Sequence, residues 1–140
     1  MDAVILVGQI LFGTVFLLAG FDHLTKTSQV VSYAGTRNIR YARTIVVSSG
    51  IIMIIATILI ILGAWADIAG LLLAVFLVPA AFTMHNYWTH ADPQVRAVEQ
   101  IQFAKNMSLA GASLLIFGFM ATFGDELAFT LTPPLTHILA

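Results

Sequence analysis

Residues Ile51–Leu62 read IIMIIATILIIL. No polar side chain recurs at every second position, so the stretch cannot be a barrel strand, which faces lipid and lumen by turns. It belongs to a longer apolar run, Ile45–Leu62. A helix of that length rises about 1.5 Å per residue and nearly crosses a hydrocarbon layer about 30 Å thick. Backbone groups in lipid must be paired within the segment, so the run is a helix.

Working outward, three more runs of the same kind appear: Val4–Phe21, Ile68–Met84 and Met107–Phe123. The chain has 140 residues, of which 59% are hydrophobic and 9% charged. Its mean hydropathy is +0.95. A soluble domain carries about a quarter charged residues, and a water-soluble fold of this size cannot hide so much apolar surface. The expected fold class is therefore all-α: a four-helix transmembrane bundle, one domain over residues 1–140, with an outer tail at 124–140. The partner this demands is the lipid bilayer. A net charge of −1 gives no reason to expect nucleic acid. The absence of cysteine removes disulfides, thiol catalysis and thiolate metal sites.

The first run has no basic segment before it, only Asp2, and no small-x-small site precedes Asp22. It reads as a retained span rather than a cleaved leader. All six basic residues fall between spans one and two (Lys26, Arg37, Arg40, Arg43) or between spans three and four (Arg96, Lys105). The positive-inside rule places both loops in the cytoplasm and both termini outside. The expected location is the cell membrane, of the bacterial inner-membrane type.

The loops carry local signals. Ser28 is in place to cap a short helix, QVVSYA, ending at Gly35. Asp92-Pro93 is a cap followed by proline at the first helical position, so PQVRAVEQIQFAKN is expected to run unbroken into span four. Arg96 and Glu99 read as a surface pair on a solvated face. Pro79 is expected to kink span three, and His90 reads as an ordinary loop residue. The tail GDELAFTLTPPLTHILA has no evident task beyond resting on the outer surface.

At about 100° per residue each span has one small or polar face. In span one it is Gln9, Gly13, Phe16, Gly20 and His23. In span two it is Ala42, Ser49, Ala56 and Gly63, a ridge suited to close packing within one chain or between two copies. In span three it is Gly70, Ala74, Val78, Ala81 and His85; in span four, Gln102, Asn106, Ala110, Ser113 and Phe117. These faces are expected to meet inside the bundle.

The polar stretch FTMHNYWTHADPQ closes span three. With Asp22 and His23 at the end of span one and Lys105 and Asn106 at the start of span four, it puts polar groups from three helices at one membrane depth. Such groups are costly there and face a cavity or one another. The candidate ligand-binding residues are His23, His85, Asn86, Trp88, Gln102 and Asn106, lining a cytoplasm-facing pocket. The plainer readings are an aromatic belt for Tyr87 and Trp88, snorkelling for Lys26 and Lys105, and a carbonyl-bonded interfacial ring for His85. Asp22 points away from His23 and is in reach of Lys26 or Arg43.

Four fragments carry a resemblance to a known family: LLAGFDHLTK, YAGTRNIRYA, VPAAFTMHNYW and EQIQFAKNMSLAG. Together they resemble the DoxX family of small four-span membrane proteins, over most of Val4 to Ala121. One departure is Arg40, where such loops often have a proline. The resemblance implies an association with respiratory or sulfur-oxidising quinone oxidoreductases or with membrane redox-stress assemblies, and it carries no catalytic residues over.

The expected function is an accessory or small-molecule component of a membrane redox system, with quinone as the ligand type and a membrane or cytoplasmic redox partner. A quinone requires an apolar slot and one or two hydrogen-bond donors to its carbonyls, which His85, Asn86, His23 and Trp88 near Phe103 would supply. Nothing marks autonomous catalysis: there is no nucleotide or flavin fingerprint. Two histidines on different helices are the minimum for axial haem ligation, but single histidines at helix ends are more often not ligands, and haem is not expected. The alternative is a structural or assembly protein, its polar cluster acting as a clamp. A transporter finds little support without an inverted repeat or a mid-span acidic residue.

Overall fold

The structure is a computed structural model and describes residues 2–139; the first and last residues of the expected domain lie outside them. The described residues are helical and contain no strand. Six α-helices follow in order: α1 (Asp2–Thr25), α2 (Thr27–Gly35), α3 (Ala42–Leu62), α4 (Ala66–Met84), α5 (Pro93–Phe123) and α6 (Leu135–Ile138). Four of them (α1, α3, α4 and α5) are long and apolar enough to cross a membrane, so the chain is a multi-pass membrane protein.

The expected faces meet. Gln9, Gly13, Phe16 and Gly20 are buried on α1, as are Ser49, Ala56 and Gly63 on α3 and Ala110 and Ser113 on α5. Close approach is literal at Gly50: a Cβ there meets the His23 Cβ at 2.9 Å and the Gly20 carbonyl oxygen at 3.1 Å. Val78 is the exception on α4, exposed beside the helix-interior Pro79. The core gathers Phe16, Met53, Ile60, Leu73, Leu77 and Met120.

Packing follows chain order. α1 lies along α3, α3 along α4, and α4 along α5, while α2 rests on α3; no extended contact joins α1 to α5 among the described residues. The bundle is therefore two pairs, α1/α3 and α4/α5, hinged along the α3–α4 seam.

The loops mix agreement with correction. Asp92 caps α5 as expected, its Oδ1 accepting from the Gln94 and Val95 amides at 2.8 and 3.2 Å, and the helix runs unbroken for 31 residues. The short helix does end at Gly35, but Ser28 does not cap it. It starts two residues earlier, at Thr27, with no side-chain cap at Lys26, and the Thr27 hydroxyl donates back to the His23 and Leu24 carbonyls, both at 2.8 Å.

The tail has a task after all. It folds across the α3–α4 link: Leu131 N donates to Leu62 O at 3.2 Å, and Trp65 N to the Thr132 hydroxyl at 2.9 Å. Asp67, 0% exposed, accepts from Thr136 N and Oγ1 at 2.9 and 3.1 Å. As an acid in the first turn of α4 it also meets the positive end of the helix dipole. Gly63 closes α3 at φ +61°, and a side chain there collides with the Thr130 and Phe129 backbone.

Candidate functional site

At the other end of the bundle a cleft of about 920 Å³ lies between the two helix pairs. Its deep part is apolar, lined by Phe16, Met53, Phe76, Leu77 and Leu109. Its other end is polar, lined by His23, Ser49, His85, Glu99, Gln102 and Asn106, with Asp22 and Lys105 at the exposed edge. α1 and α5 flank it with no extended contact between them among the described residues.

Four of the six residues expected at the site line this cleft: His23, His85, Gln102 and Asn106. Asn86 and Trp88 do not. The Asn86 Oδ1 is taken by Arg37 Nη1 at 3.0 Å. Trp88 packs with Phe82, Tyr87 and Phe103, centroids 5.1–6.1 Å apart, and is half exposed, as a belt residue is. Asp22 pairs with Lys26 at 2.8 Å on the surface.

The centre of the polar end is Glu99, which the sequence reading placed on a solvated face. It is 8% exposed. Its Oε1 accepts from Arg37 Nη2 at 2.8 Å and from the Tyr33 hydroxyl at 3.0 Å, and its Oε2 accepts from His85 Nδ1 at 2.8 Å. Arg96, its supposed mate, stays exposed. The error has a physical cause: Tyr33 of α2 and Arg37 of the loop after it reach across to α5 and enclose Glu99. The one available signal was Arg37, a fixed-charge residue in a loop short enough to reach back. Arg37 also meets His90 Nε2 at 3.0 Å, so His90 is part of the network rather than a bystander. Partial burial, with the Glu99 carboxylate beside it, holds the Tyr33 phenol above its ordinary range and keeps it a donor.

His23 is fixed separately. Its Nδ1 lies 2.9 Å from the Ser49 hydroxyl and 3.3 Å from the Val46 carbonyl, both on α3. Gln102 and Asn106 make no side-chain hydrogen bond within the described residues and line the cleft with their amides uncommitted. Those residues also contain no group of three His, Cys, Asp or Glu side chains close enough to hold a metal ion.

Four apolar spans packed as two pairs, with a polar cluster at one end, define a small integral membrane protein. The DoxX family profile matches residues 4–86, and the chain belongs to that family. No curated protein and no solved structure matches it. The matched residues reach through α4 to Asn86; Glu99, Gln102 and Asn106 on α5 lie beyond them.

Proposed function

We propose that the protein takes an amphipathic small molecule of quinone type from the bilayer into the α1/α5 cleft, as an accessory component of a membrane redox system. The observation that carries this is the cleft itself: apolar in depth, polar at one end and flanked by two helices with no extended contact among the described residues. Its size is within the range of small-molecule sites. The uncommitted amides of Gln102 and Asn106 would meet the polar head, while Phe16, Met53 and Leu77 would take the ring substituents or the start of a tail. By the positive-inside rule the polar end lies on the cytoplasmic side and both termini outside, in the cell membrane.

The second reading, a structural or assembly protein, is favoured by one observation. Arg37, Glu99, Tyr33, His85, Asn86 and His90 form a network that ties the α2 segment to α4 and α5. The two readings use different residues, so one experiment separates them. Binding of a short-chain alkyl benzoquinone to the detergent-purified protein is measured for the wild-type chain and for Asn106→Leu and Gln102→Leu. Saturable binding that both variants weaken supports the ligand site. No saturable binding to the wild-type chain sinks it and leaves the clamp.

A further inference from the structure

We infer that the cleft selects the hydroquinone form of its ligand over the quinone, through hydroxyl donation to the Nε2 nitrogens of His85 and His23. This rests on the reading of the cleft as a quinone-type site and adds to it which redox form is held.

The argument is one of tautomers. The Val46 carbonyl beside His23 can only accept, so the ring nitrogen facing it, Nδ1, carries the proton. Ser49 agrees independently. Its hydroxyl hydrogen is spent on the Val46 carbonyl at 2.9 Å, so its oxygen accepts from Nδ1. His85 reaches the same state by another route. Its Nδ1 faces Oε2 of a carboxylate that Arg37 pairs with at 2.8 Å, and an ionised carboxylate only accepts. Arg37 already balances the Glu99 charge, so the ring need not be charged to satisfy its neighbour.

A neutral imidazole with its hydrogen on Nδ1 has a bare lone pair on Nε2. Both residues line the same cleft, and within the described residues the hydrogen bonds of each ring are made at Nδ1, none at Nε2. Each is therefore an acceptor waiting for a donor. A quinone has only carbonyl oxygens and cannot donate; a hydroquinone brings two hydroxyls. The amides of Gln102 and Asn106 offer both donor and acceptor and do not discriminate. The expectation that these histidines serve quinone carbonyls as donors is thus reversed by the partners on their other nitrogens. Among the lining residues Lys105 is a fixed donor, and it stands at the exposed edge.

The test uses three probes with one ring and one alkyl chain: the hydroquinone, the quinone, and the hydroquinone dimethyl ether, which lacks donors. Binding to the purified full chain is measured without oxygen at about pH 8, above the ordinary range of imidazole titration. The hydroquinone should bind at least about tenfold more tightly than the quinone, with the dimethyl ether no better than the quinone. His85→Phe and His23→Phe should each shrink that ratio toward one. Equal or tighter binding of the quinone overturns the inference while the cleft reading stands. A ratio that survives both substitutions overturns the assignment to these histidines. If none of the three probes binds, the quinone-type reading falls with it. Should one variant fail to fold, the wild-type ratio and the other variant still decide.

Discussion

Each end of this bundle buries one carboxylate, and the two are treated differently. Asp67 is met by a backbone amide, a hydroxyl and the N-terminus of its own helix. Glu99 is met by an arginine, a tyrosine and a histidine, and the space beside it is about 920 Å³. A carboxylate held through one oxygen by neutral donors from a folded-over tail is a plug. One held by an ion pair, with a histidine turned toward open volume, is a foundation for something else. The charged partners are costly to bury, and they fix the orientation of His85.

The sharpest way to break the comparison is Glu99→Ala. It strands the Arg37 guanidinium, whose side chain is 11% exposed, and should cost about 3–5 kcal/mol, read as a lowered unfolding midpoint in detergent. If stability holds within about 0.5 kcal/mol, Glu99 is not the anchor described. Next comes Asp67→Ala, which leaves the Thr136 amide and hydroxyl without their acceptor. About 2–3 kcal/mol should be lost, with alkyl-quinone affinity unchanged because the cleft is at the far end. Loss of affinity would mean that the two ends are coupled.

Gly50→Ala probes the α1/α3 contact. The added methyl collides with the His23 Cβ and the Gly20 carbonyl, and about 1–3 kcal/mol of destabilisation is expected. The smallest effect belongs to His137. Its imidazole sits 2.8 Å from an Asp125 oxygen, and that hydrogen bond raises its pKa above the ordinary value. A raised folded-state pKa means the tail contact helps fully below the unfolded value, about 6.5, and is lost as pH rises through the folded one. NMR titration should find His137 shifted upward and Asp125→Asn should cancel the shift; an unshifted titration removes the contact.

Much of the architecture was legible because hydrocarbon imposes a simple rule. The unbroken apolar runs, the Asp92-Pro93 start and the small-residue faces all follow from local spacing. Gly13, Gly20, Ser49, Ala56 and Ser113 land inside as their periodicity requires. The site was legible only in part. His23, His85, Gln102 and Asn106, which line the candidate cleft, stand out in the sequence because they break an apolar pattern. Glu99 was missed because it sits among Arg96, Gln100 and Gln102, where polarity is no anomaly; the side chains of Tyr33, Arg37 and His85, distant in sequence, enclose it. The Asp67–Thr136 contact spans 69 residues, and no local periodicity announces it.

The absence of an extended α1–α5 contact has a mechanical consequence. The helix pairs resemble two boards joined at a spine, latched at one end by Arg37 and Glu99 and at the other by the tail. Among the described residues no extended helix contact closes the fore-edge between the latches. Acyl chains must press there, so the gap width answers to the lateral pressure and thickness of the surrounding bilayer, and membrane composition becomes a term in the molecule's own geometry.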